Sequence, residues 1–182
     1  MNNYPLHRPG RTTIIAPSTT QTITIRHGVA DDVPDIVNLV TSHALQGDVL
    51  PRSTDDVHKT IDDWFVATAG DEVLGCVSLL GYTSSLVEVR SLVVGDRYRK
   101  LGIGSRLLQA LLAEARRRRI TTLFALTRKV NFFERFGFMV SERKLFPEKV
   151  WHDCQHCPLL DACDETAMVW QFSKEFGPVS RS

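Results

Sequence analysis

The stretch Arg99-Lys100-Leu101-Gly102-Ile103-Gly104 stands between an apolar run, Leu86 to Val94, and a helix-patterned run, Ser105 to Arg119. This order of strand, short basic loop and helix names a ligand group before it names a reaction. The first N–H groups of a helix have no intrahelical partner and carry the positive end of its dipole. Glycines ahead of them let the backbone approach an anion closely. Residues 99–105 are therefore predicted to cradle a pyrophosphate. A tight strand-to-helix turn would also use glycine, so it is the flanking pattern that carries the reading. Other phosphate loops fit worse, since the stretch has neither a Gly-Lys-Ser/Thr ending nor a Gly-x-Gly-x-x-Gly run.

The chain around this loop has 182 residues, in the range of one domain, with 43% hydrophobic and 24% charged residues. A formal net charge of +1 recommends neither nucleic acid nor an anionic membrane as partner. No apolar run approaches the ~20 residues needed to span a bilayer. Residues 1–21 read as a flexible arm without the apolar middle of a secretory signal, residues 22–172 as the folded domain and residues 173–182 as a tail. With four cysteines and no such signal, a reducing, cytoplasmic location is expected.

Ile23 to Arg26 alternates weakly and opens the sheet. Asp31 is expected to cap a helix whose apolar positions are Val33, Ile36, Val37 and Val40. Ser53-Thr54-Asp55-Asp56 is a capping signal for a second, shorter helix. Trp64 to Thr68 and Val73 to Leu80 are β-rich and joined as a hairpin, and Leu86 to Val94 follows them. Leu107, Leu108, Leu111, Leu112 and Ala115 give the next helix its buried stripe. Arg116 to Arg119 at its end read as a solvated terminus favoured by the helix dipole, rather than a nucleic-acid patch. Thr121 to Thr127 is the next strand, Val130 to Phe136 a short helix, and Gly137-Phe138 the turn back to the sheet. The fold class is mixed α/β around one central sheet.

The Arg-x-x-Gly-x-Gly spacing and this element order resemble the GNAT superfamily of N-acetyltransferases, which implies a mostly antiparallel sheet flanked by helices and a loop holding acetyl-CoA. Glu88-Val89-Arg90-Ser91-Leu92-Val93-Val94, Phe124-Ala125-Leu126-Thr127-Arg128 and Phe132-Phe133-Glu134-Arg135-Phe136-Gly137-Phe138 are more specific. They resemble the acetyltransferase domain of N-acetylglutamate synthases in its short, stand-alone form. That resemblance implies acetyl transfer to L-glutamate, the first step of arginine biosynthesis, with small molecules as partners. It also implies CoA contacts at Leu92, Val93 and Val94, at Arg99, Lys100, Leu101, Gly102, Ile103, Gly104 and Ser105, and at Asn131 and Phe132. Arg52 and Arg128 become the clamp for the carboxylates of glutamate, with Arg90, Ser91 and Lys129 beside them. Phe133 and Phe136 read as core.

Glu88 is the only carboxylate inside its apolar strand. A half-buried carboxylate there is expected to have a raised pKa and to serve as general base, directly or through one water. The competing reading is a wet-face charge or a pair with Arg90 on the same face. Direct attack without an acyl-enzyme is expected, because no cysteine is expected beside the thioester. Tyr82 and Tyr98 are the candidate proton donors to the departing thiolate.

The segment 151–165 holds Cys154, Cys157 and Cys163, with His152 and His156 nearby. Three thiolates and one histidine fit a zinc tetrahedron, and three thiolates with an outside ligand fit an iron–sulfur cluster. Packed free thiols are the alternative, and Cys76 inside a strand reads as core. Two further functions stay open: acetyl transfer to another amino acid or small amine, and a non-enzymatic CoA-binding or metal-sensing module. Homodimeric assembly is compatible with the chain.

Overall fold

The computed structural model describes residues 22–83, 86–147, 153–157 and 162–172. The arm 1–21, the tail 173–182 and His152 lie outside the described residues. The sheet is built from β1 (Thr24–His27), β2 (Trp64–Ala69), β3 (Glu72–Gly81), β4 (Leu86–Val94), β5 (Thr122–Thr127), β6 (Met139–Ser141) and β7 (Thr166–Gln171). Its spatial order is β1-β2-β3-β4-β5-β7-β6, with β4 and β5 parallel and the other neighbours antiparallel. The helices are α1 (Val33–Leu45), α2 (Thr54–Lys59), α3 (Ile103–Arg117) and α4 (Val130–Glu134).

Period-2 alternation gives the sheet two apolar faces. Phe65, Ala67, Val77, Leu79 and Val89 pack with the buried stripe of α3. Trp64, Val66 and Cys76 pack with Val33, Ile36 and Val40 of α1 and Val57 of α2. Leu107, Leu108, Leu111 and Leu112 are at most 4% exposed, and burying each such side chain contributes roughly 1.5–3 kcal/mol. Cys76 is fully buried, and burial pushes its thiol pKa up.

Several boundaries differ from the expectations, each for a local reason. Asp32, rather than the exposed Asp31, organises the start of α1: its carboxylate accepts the Val29 N–H at 2.8 Å and the Arg26 fork at 2.6 and 2.8 Å. Ser53 does cap α2, accepting the Asp56 N–H at 3.1 Å. Helix α3 begins at Ile103, so Gly102 is its N-cap and Gly104 lies in its first turn. The strand β7 was not foreseen. It follows the Cys-rich segment and inserts between β5 and β6, so the turn at Gly137-Phe138 leads to an edge strand.

The arginines at the end of α3 are held by carboxylates. Arg117 and Arg118 both donate to Glu114, which is buried, Arg118 also pairs with Asp63, and the Arg116 guanidinium lies 5.3 Å from the Trp170 ring centroid. Hydrogen bonds from Arg117, and then from Arg118, hold the Glu114 carboxyl at about 2 against an ordinary 4.5. A depressed folded-state pKa gives stability that is present above the ordinary value and lost as pH falls through the folded one. Glu114→Gln should therefore lower unfolding free energy at pH 7 by about 1.5–3 kcal/mol. In urea titrations the gap between variant and wild type should close between about pH 4.5 and 2.

Candidate functional site

The site originates where β4 and β5 part. Their pairing covers only Leu86 with Thr122, Val87 with Leu123 and Glu88 with Phe124. Beyond it, β5 stays bound to β7 on its far edge. In β4, Arg90 faces Ser78 and Val93 faces Cys76, so the register slips between them and leaves Ser91 and Leu92 outside the ladder. Ser91 takes φ 54°, a left-handed conformation unusual for a residue with a side chain. This bulge turns the strand and parts the pair.

The gap opens into a cleft of about 830 Å³ lined from one side by 88–94 and from the other by 126–129. At one end stands the loop predicted to hold a pyrophosphate. Gly102 adopts φ 75°, which aims the first turn of α3 toward the cleft, and no side chain caps that turn. A Cβ built on Gly104 would meet Val94 Cγ2 at 3.8 Å and Phe132 at 3.9 Å, which is ordinary contact. The protein's own packing therefore does not require glycine there. Arg99, Lys100, Gly102, Ile103, Gly104, Ser105 and Phe132 line the cleft. Leu101 does not, being 59% exposed, and Asn131 instead lines a smaller neighbouring cavity with residues 128–132. The Arg99 guanidinium is shared between Asp48 at 3.4 Å and Asp96 at 3.0 Å.

Glu88, on the last residue of β4 that pairs with β5, lines the cleft while only 3% exposed. Its Oε2 accepts the Tyr82 hydroxyl at 2.7 Å. Burial, then the Glu88 charge, pushes the Tyr82 phenol well above its ordinary pKa. The proton thus stays on Tyr82, which holds Glu88 and is not placed as a donor to a leaving group. The Tyr98 hydroxyl is likewise engaged, by Glu72 at 2.6 Å. Arg90 shares the Glu88 face as expected but makes no ion pair with it among the described contacts. It is 7% exposed, its Nε has no hydrogen-bond partner among the described residues, and burial together with the nearby Arg52 guanidinium lowers its pKa.

Arg52, Ser91, Arg128 and Lys129 all line the same cleft. Sequence reasoning missed what holds the two arginines. Arg52 is 8% exposed and forks onto Asp153, at 3.2 and 3.0 Å, while its Nε reaches Ser91 Oγ at 3.4 Å. Arg128 donates to Asp164 at 2.6 Å and to the Gly47 carbonyl at 2.9 Å, with Glu165 at 3.8 Å. Burial lowers the Arg128 pKa, but Asp164 and Glu165 more than offset this and leave it raised. Asp153 and Asp164 flank the cysteines in sequence, a spacing visible in the chain but meaningful only once folding brings it to the arginines. Also unforeseen, His43, Asp48 and Arg143 line the cleft.

Cys154, Cys157 and Cys163 line the cleft too. All three are free thiols, and among the described residues no group of three His, Cys, Asp or Glu converges as a metal site. The zinc and iron–sulfur expectation finds no support among the described residues, outside which its candidate ligand His152 lies. No described helix is long and apolar enough to cross a membrane.

Comparison with known proteins agrees with this geometry. The model of the acetyltransferase (GNAT) family matches residues 35–138. An uncharacterized N-acetyltransferase of Chlorobaculum tepidum is 37% identical over 145 residues, covering 80% of this chain and 94% of that protein. An amino-acid acetyltransferase of Shewanella oneidensis is 30% identical over 127 residues, 69% of this chain but 28% of the relative, so the chain spans little more than a quarter of that protein. A Mycobacterium tuberculosis protein, Rv2747, solved in complex with CoA, superposes with a TM-score of 0.70 at 26% identity, covering 82% of this chain and 99% of that one.

Proposed function

The chain belongs to the GNAT family of acetyltransferases, and from that premise we propose that it moves the acetyl group of acetyl-CoA onto the α-amine of L-glutamate, giving N-acetyl-L-glutamate and CoA. The observation that carries this reading is the convergence, in one cleft, of a buried carboxylate, an uncapped helix start and buried guanidinium groups. The likeness to an amino-acid acetyltransferase supports the acceptor class.

The amides of Ile103, Gly104 and Ser105 receive the diphosphate, where the dipole of α3 adds to them. The pantetheine arm runs along Leu92, Val93 and Val94, whose backbone faces the parted edge of β4. An N–H of that edge donates to the thioester oxygen as it gains negative charge. Arg90 and Ser91 meet the α-carboxylate and so bring the amine to Glu88. Glu88 takes the proton from the ammonium, directly or through one water, and the free amine attacks the thioester carbon. The C–N bond forms, the C–S bond breaks, and the thiolate leaves with a proton from solvent or the acceptor nitrogen.

Three outcomes test this reading. Glu88→Gln should lower kcat by roughly 10²–10³; an unaltered kcat contradicts the base assignment. Gly104→Ala should fold with stability equal to wild type or higher by about 0.5–1 kcal/mol, yet bind CoA at least about tenfold more weakly by calorimetry. Despite the thiols lining the cleft, double-reciprocal plots with both substrates varied should intersect, whereas parallel lines would mark an acyl-cysteine route.

A further inference from the structure

A dicarboxylate acceptor calls for two available cations, yet the two arginines best placed to read its second carboxylate each already hold one. The Arg52 fork lies on Asp153 at 3.0 and 3.2 Å, with both side chains less than a tenth exposed. Arg128 holds Asp164 at 2.6 Å and has Glu165 at 3.8 Å. Both carboxylate sets come from the Cys-rich segment, and Arg52, Arg128 and Glu165 line the same cleft as Glu88. Arg90 differs: it is 7% exposed and its Nε has no partner among the described residues. A buried guanidinium with an unused N–H is matched by a carboxylate. Arg143 and Lys129 also line the cleft, but half-exposed and exposed respectively, where solvent screens their charge.

We propose that Asp153 and Asp164 are specificity-determining residues that act through Arg52 and Arg128. They stand in for the second carboxylate of the acceptor and hold down the preference for a dicarboxylic amino acid over its neutral isostere. Arg90 takes the α-carboxylate that every amino-acid acceptor carries. This rests on the amino-acid acetyltransferase reading above. An incoming side-chain carboxylate at Arg52 meets the Asp153 charge, and like charges brought together repel. Removing that carboxylate leaves a buried guanidinium uncompensated, which a substrate carboxylate then relieves. An amide side chain, as in glutamine, feels neither effect as strongly.

The test is steady-state acetyl transfer by the full chain to L-glutamate and to L-glutamine, for wild type, Asp153→Asn and Asp164→Asn. Asp164 is exposed, so its variant keeps the test intact even where the buried Asp153→Asn fails to fold. The ratio of kcat/KM for glutamate over glutamine should rise about two- to fivefold in Asp164→Asn, where solvent screens the charge, and about tenfold in Asp153→Asn, through the KM of glutamate. A merely structural role would move both acceptors together. A ratio that is unchanged, or that shifts toward glutamine, overturns the specificity assignment alone. Absence of transfer to either amino acid by wild type overturns the acceptor reading beneath it and the assignment with it.

Discussion

The parting of β4 from β5 is the constraint on which the rest depends. Three residue pairs join the two strands, and then the register slip at Ser91 and Leu92 bends β4 away while β5 follows β7. A left-handed Ser91 costs on the order of 1–3 kcal/mol, and the neighbouring strands and helices hold it in place. In return the fold gains a water-accessible edge in the middle of its sheet. Backbone N–H and C=O groups there lack strand partners, and such groups demand others. The crossover from β4 to β5 through α3 places a helix start at the mouth of the same gap. Thus the irregularity opens the channel, and the crossover sets a helix start at its end.

The same fork explains the position of Glu88. It is the last β4 residue still paired with β5, so its backbone is fixed while its side chain reaches the opening. Tyr82, outside the cleft lining, orients it. Two residues on, Arg90 shares that face and is buried for the same reason. The electrostatics of the cleft follow from a balance between elements far apart in sequence. Arg52 comes from the loop before α2 and Arg128 from the end of β5, while their carboxylates come from the segment that precedes β7.

Much of the fold was legible because it is written in periodicity. The α3 stripe, the β2–β3 hairpin with Gly70 at φ 59°, and the Ser53 cap are local patterns with local causes. The loop and helix start around Gly102 were legible for the same reason, since glycine acts within a few residues. The bulge was not, because Val89 to Val94 reads as uninterrupted strand and only the β3 register reveals the slip. Strand β7 was hidden behind the cysteines, although Met168, Val169 and Trp170 carry a β-rich signal. The carboxylates on Arg52 and Arg128 were equally out of reach: the Arg52 pair spans 101 positions, and no sequence spacing encodes such a contact. Leu101 and Asn131 were included by adjacency to residues that do line the cleft, but their side chains lie elsewhere.

The central claim is that the free backbone edge of β4 and the first turn of α3 together receive CoA. Amide hydrogen exchange, resolved to single residues with and without saturating CoA, tests it most directly. The account predicts slowed exchange at Leu92 to Val94 and at Ile103 to Ser105, with the paired stretch Leu86 to Glu88 little changed. Unaltered exchange at both sites while CoA is bound would contradict it.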